Sequence, residues 1–161
     1  MALSTIITAV KTVMDSVDDI ENVYKYERWA ASWSKVLELF KTADDAHYQG
    51  WMISRKQTAT RQVTLGEVEA AHVLSIKGIY GLDDSGASET VFQGWLEDLQ
   101  VEFLDGAHVD LSGACLTINP DWGPMAGAVG LQIMNVEPRM FGSVLCHYAD
   151  CRLGVVELIN E

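Results

Sequence analysis

The segment Cys146-His147-Tyr148-Ala149-Asp150-Cys151 gathers thiol, imidazole and carboxylate within a few positions, which are the donors that zinc prefers. The spacing argues against a metal site. In an extended strand positions 147 and 151 face one way while 146 and 150 face the other, so four ligands from this stretch cannot converge on one ion. A thiol nucleophile with a histidine base is the next chemistry to consider: Cys115 with His108, or Cys151 with His47, His72 or His147. Nothing in the sequence favours one pairing over another. No Gly-x-Ser-x-Gly, His-Glu-x-x-His, phosphate-loop or dinucleotide glycine pattern occurs, so the enzyme classes with local signatures are unsupported. The three cysteines are read as structural thiols, and no metal, cofactor or catalytic residue is expected.

Acidic pairs at Asp18-Asp19, Asp44-Asp45, Asp83-Asp84 and Glu97-Asp98 lack the oxygen-rich spacing of a calcium loop and read as solvated faces and turns. The tryptophans are more informative. Helix cores account for Trp33 and Trp95, but Trp29 and Trp122 sit in loop-like sequence, where large aromatics are costly to expose and typical of interface anchors.

The frame that must hold these residues is bounded by composition. A chain of 161 residues with 48% hydrophobic content fits one domain with a substantial core. An odd number of cysteines suits a reducing compartment. Apolar runs fall far short of a membrane helix, and the start has no basic region ahead of its apolar stretch, so neither a membrane span nor a secretory signal is expected. The formal charge of −12 repels phosphate and anionic lipid. It is unevenly spread: residues 61–110 hold only Arg61 and Lys77 against ten acids.

Hydrophobic spacing predicts a helix over Leu3 to Val17, capped by Ser4 or Thr5 and stopped by Asp18-Asp19. A short β-prone piece, Ile20 to Tyr26, follows. A second, short helix is expected from Ser32 as cap to Phe40, with Trp33, Val36, Leu37 and Phe40 on one face. Gly50 to Thr64 reads as a strand whose polar end, Lys56 to Gln62, forms a hairpin tip, and Ala70 to Leu82 as the inner strand paired with it. Ser88 to Leu104 reads as a long helix with Ser88 as N-cap and Val91, Phe92, Trp95, Leu96, Leu99 and Phe103 on its inner face. After a turn cluster at 119–124, Val129 to Val136 and Ser143 to Ile159 read as strands joined across Glu137-Pro138-Arg139, with a bend near Gly154. The expected fold is a single α+β domain over 1–161: an antiparallel sheet of about four strands with two long helices on one face and a short extra helix.

This order of elements, with a Val23-Tyr24-Lys25-Tyr26-Glu27 strand near the start and closing strands ending in Arg152-Leu153-Gly154-Val155-Val156-Glu157, resembles the tail terminator (tail completion) proteins of long-tailed bacteriophages over nearly the whole chain. The resemblance implies a homo-oligomeric ring, usually of six subunits. Such a ring binds the last ring of tail-tube protein, stops polymerisation and offers its other face to the neck or connector. It implies no enzymatic residue. Genomic DNA would pass through without sequence-specific binding, and an acid-lined channel fits that role. The chain would then reside in the virion at the tail–neck junction, and in host cytoplasm during assembly. Ring contacts would be heterologous and closed. The candidate contact residues are Trp29, Arg55, Lys56, Arg61, Asp83, Asp84, Trp122 and Arg139, with Asp83 and Asp84 also candidates for the channel wall. Two alternatives stand beside this: another connector or tube-associated subunit of the virion, and a small enzyme or ligand-binding domain with a pocket under the Trp29 and Trp122 loops.

Overall fold

The computed structural model describes residues 2–29, 32–44 and 46–160, and all but the side chains of Trp33 and Asn160 among them. Asp45 of the second acidic pair and the side chain of Trp33 therefore lie outside the described residues.

Helix α1 (Leu3–Asp15) buries Ile6, Val10, Val13 and Met14, a stripe that recurs every three to four residues and turns one side of the helix toward the core. Its N-cap is Ala2, without a side-chain cap bond, so neither Ser4 nor Thr5 caps it. The Ser4 carbonyl instead accepts the Thr8 hydroxyl inside the helix. Strand β1 (Val23–Tyr24) and helix α2 (Trp33–Leu39) follow. Two long strands, β2 (Gln49–Thr64) and β3 (Glu67–Gly81), form a hairpin closed at Leu65-Gly66, where Gly66 takes a φ of 93°. The tip therefore lies beyond the expected Lys56 to Gln62, all of which belongs to β2. Helix α3 (Ser88–Leu104) and a short 3₁₀ turn (Gly106–His108) lead through a long irregular segment to β4 (Leu131–Phe141) and β5 (Val144–Asn160).

The expectation of a four-stranded antiparallel sheet under two long helices is overturned. The sheet has five strands in the order β1-β2-β3-β5-β4, and β1 joins β2 in parallel. The helices are 13, 7 and 17 residues long. The closing hairpin also differs: β4 runs straight through Glu137-Pro138-Arg139, and the reversal comes at Gly142-Ser143. Proline is tolerated there because β4 is an edge strand, where a missing N–H leaves no central ladder bond unmade.

One face of the sheet carries Trp51, Ile53, Leu74, Ile76, Cys151 and Leu153, all fully buried in one cluster with side chains of α1 and α3. Trp51 sits opposite Gly78 on β3, and a Cβ on Gly78 would stand 2.4 Å from the indole ring. Glycine is what lets the largest core side chain lie flat across its neighbour. On the other face, α2 caps one end with Val36, Leu37 and Phe40 against Met52, Ile79, Cys146 and Tyr148. At the other end Leu116 and Thr117 bond the backbone of Val156, and the chain then crosses so that Pro120 and Met125 approach Gly154. Gly154 thus serves close approach: a Cβ there would meet Pro120 Cγ at 2.7 Å.

Helix α3 occupies the expected residues, with two differences. Its N-cap is Ala87, at φ 51°, while the Ser88 hydroxyl accepts the Asp83 N–H and meets His147 Nε2 at 2.8 Å. Val91, placed on the inner face by spacing, is 38% exposed, and Val101 and Leu104 stand 67% and 57% exposed on the outer side. Helix α1 buries one apolar stripe; α3 buries one too, and in addition exposes Val101 and Leu104 among the acids of its outer side.

Candidate functional site

The thiol and imidazole chemistry suggested by Cys146 to Cys151 dissolves into packing. Cys146 lies in the α2 cluster and Cys151 in the α1–α3 cluster, on opposite faces of β5. Burial pushes the Cys151 thiol up to about 12, with the Asp150 charge adding to it, and burial alone pushes Cys146 up to about 11. Cys115 is pushed up to about 12 by burial and then by the charges of Asp110 and Glu157. All three stay protonated at neutral pH and are poor nucleophiles. Three of the four histidine rings are committed as well, while His47 is exposed, its ring 6.2 Å from that of Tyr80. His147 pins Ser88 to β5, and His108 bonds Glu102 at 2.8 Å. His72 bridges Thr58 Oγ1 and Glu157 Oε1, each at 2.8 Å, inside the sheet where the core thins toward the hairpin end. These bonds give both His72 ring nitrogens a partner, as burial demands. Among the described residues, no group of three or more His, Cys, Asp or Glu is arranged to hold a metal ion.

The surface candidates resolve into separate places. On the α2 side of the sheet, the Glu27 carboxylate gathers Lys56 and Lys77 through Oε1, together with the Ser54 hydroxyl, while Trp29 Nε1 reaches Oε2 at 3.1 Å. Burial pushes the Glu27 carboxyl upward, but the four hydrogen bonds outweigh it and hold it well below the usual carboxylate range. This hub fastens the strand-like loop after β1 onto β2 and β3. Trp29, 46% exposed, stacks on Phe141 at 6.3 Å; Phe141 packs against Tyr148, and the Arg139 guanidinium lies 3.9 Å over the Tyr148 ring. Trp29, Lys56 and Arg139 are therefore brought onto one continuous surface. A cleft of about 500 Å³ opens beside them, lined by Tyr26, Glu27, Arg28, Trp29, Lys35 and Glu38.

Trp122 and Arg61 meet elsewhere, with the guanidinium 4.5 Å from the ring centre. Trp122 is half-buried, its Nε1 is enclosed without a partner, and Gly123 backs onto Ala71. It covers the chain's own sheet. Asp83 is spent on the turn into α3, accepting from Ser85 and the Gly86 N–H, whose hydrogen bonds lower its carboxyl; Asp84 is exposed beside it. Arg55 is exposed at a β-bulge facing β3.

Sequence reasoning missed two features. Glu27 enters the sequence reading only as the last residue of the Val23 to Glu27 strand, because Ser54, Lys56 and Lys77 come from distant positions that no local pattern reveals. Leu65, 99% exposed on the two-residue turn, was missed; the one available signal was Gly66, which supplies the positive φ the turn requires. No helix among the described residues is long and apolar enough to cross a membrane. No protein-family model matches the chain, and no curated protein matches it.

Proposed function

We propose that the chain is an assembly subunit, a bacteriophage tail terminator whose ring caps the tail tube, halts its polymerisation and joins it to the neck. The observation that carries this reading is the division between reactive and exposed groups. The three thiols are buried and the rings of His72, His108 and His147 are held in hydrogen bonds, with His47 the exposed exception, whereas large apolar and aromatic side chains stand in solvent on several sides: Tyr26, Leu65, Val101, Leu104, Met134 and Met140 are each more than half exposed. Such groups are favourable to cover with protein and offer nothing to a reacting substrate. The acidic charge supports it too. Between Lys77 and Arg139 the chain carries ten acids and no Lys or Arg, a composition suited to a passage that lets DNA slide without holding it.

Tail-tube protein polymerised with and without the purified chain, and measured by negative stain, tests the reading. Shorter tubes of uniform length are expected with the chain present, and equal length distributions count against it. A second reading, a small ligand-binding domain, draws on the cleft beside Trp29. It requires that a small molecule raise the thermal midpoint of the isolated chain, an effect that ring assembly does not predict.

A further inference from the structure

Two surfaces on opposite sides of the sheet are opposite in charge and alike in exposed apolar content. The first is the outer side of α3. From Ser88 to Leu104 this helix carries Glu89, Glu97, Asp98 and Glu102 and no cation, and Asp105 follows at its end. Between these acids Val101 and Leu104 are more than half exposed. The helix is held against the β4 edge by Gln100, whose amide reaches the Leu131 carbonyl, and by the close approach of Leu104 to Gly130. Its acidic stripe is thus fixed in place.

The second surface is the cleft on the α2 side. Arg28 and Lys35 line it with Glu38, and Lys56 and Lys77 stand behind it on Glu27, so cations outnumber carboxylates four to two there. Tyr26 and Trp29 are 59% and 46% exposed there, and the Arg28 guanidinium lies 4.7 Å over Tyr24 and 5.8 Å over Tyr26. Aromatic and arginine side chains in a partly enclosed site are the usual anchors of protein interfaces.

We infer that these surfaces are the two halves of one contact: the outer side of α3, at Glu97, Asp98, Val101 and Leu104, seats in the Tyr26–Arg28–Trp29–Lys35 cleft of a second copy of this chain. Charge complementarity selects a second copy over an unrelated partner, because each surface supplies what the other lacks. A basic, aromatic cleft meets an acidic helix with exposed aliphatic side chains. The halves lie on opposite sides of the sheet, so the contact is heterologous and leaves one copy's cleft and the other copy's helix unused. Repetition then builds a closed ring or an open filament. The inference rests on the ring reading for closure, and it adds the identity of the touching surfaces.

The experiment is a charge-reversal cycle on the full chain. Arg28→Glu with Lys35→Glu reverses the cleft, Glu97→Lys with Asp98→Lys reverses the helix, and a third protein carries all four substitutions. Particle mass is followed against concentration at low and high salt, alone and on tail tube, with circular dichroism confirming that each variant is folded. Each two-site variant is expected to weaken association on the order of 100-fold, the four-site variant to recover most of it, and wild-type association to weaken with salt. Should a two-site variant misfold, the single substitutions Lys35→Glu and Glu97→Lys, both at exposed positions, give the second readout, each expected to weaken association and the pair together to restore it. Association that is indifferent to both reversals overturns the contact and leaves the ring reading standing. Association through this contact with no effect on tube length overturns the ring reading and leaves the contact. A wild-type chain that stays monomeric at every concentration, on and off the tube, overturns both.

Discussion

Beneath α1 and α3 the sheet is dry: Trp51, Ile53, Leu74, Ile76 and Leu153 meet Ile6, Val10, Phe92 and Leu96 with no exposure beyond a trace. The other face is divided. An α2 cluster closes one end, the Pro120–Met125 crossing closes the other, and between them runs a polar seam of Glu27, Ser54, Lys77, Asp150 and Arg152. The first face draws its stability from apolar area removed from water, about 1.5–3 kcal/mol for each large side chain fully buried. The second depends on hydrogen-bonded charges that remain partly wet and contribute less apiece. A molecule that keeps one face for folding can leave the opposite one half open, where partners find both charge and aromatic surface.

That contrast is open to attack by substitution. The largest effect is expected on the dry face: Trp51→Ala should cost about 3–5 kcal/mol in urea unfolding, because the ring fills the space that Gly78 leaves and no side chain is free to collapse into it. At the Pro120 crossing on the divided face, Gly154→Ala should cost about 1–3 kcal/mol, since its new methyl meets Pro120 and Met125 and the crossing must shift. Within the seam, Glu27→Gln should cost about 1–2 kcal/mol, as two lysines lose their shared acceptor charge. Its pH dependence has a definite sign. The folded-state Glu27 carboxyl titrates below its unfolded value, so its contribution is present above the ordinary carboxylate range and is lost as pH falls through and below that range. Wild type should therefore lose more stability than Glu27→Gln on acidification, measured by thermal midpoints between pH 7 and about pH 3. The smallest effect is expected from Arg61→Ala, about 0.5–1 kcal/mol for the guanidinium over Trp122, seen as a small shift in the urea midpoint.

The dry face was the more legible of the two in the sequence, and the reason is periodicity. The stripes of Ile6, Val10, Val13 and Met14, and of Phe92, Leu96, Leu99 and Phe103, are one-sided enough to reveal helices and the side each buries. Local rules failed where a residue serves a distant partner. Ser88 has the type and place of a cap, yet its hydroxyl is drawn to Asp83 and His147. Pro138 reads as a turn because its cost in a central strand is high, and only the edge position of β4 removes that cost. The parallel β1–β2 pairing rests on two residues, too few to carry any period. The candidate surface was visible in part: Trp29 and the flanking basic residues stand out by type, but their gathering around Glu27 depends on a fold that only tertiary contacts specify.

The burial of Cys115, Cys146 and Cys151 has a practical corollary. With every native thiol shielded and protonated at neutral pH, the outside of the folded protein is blind to maleimide dyes and spin labels. A cysteine placed on α3 or beside the cleft would be the one site such reagents mark, giving distance measurements between neighbouring copies a silent background.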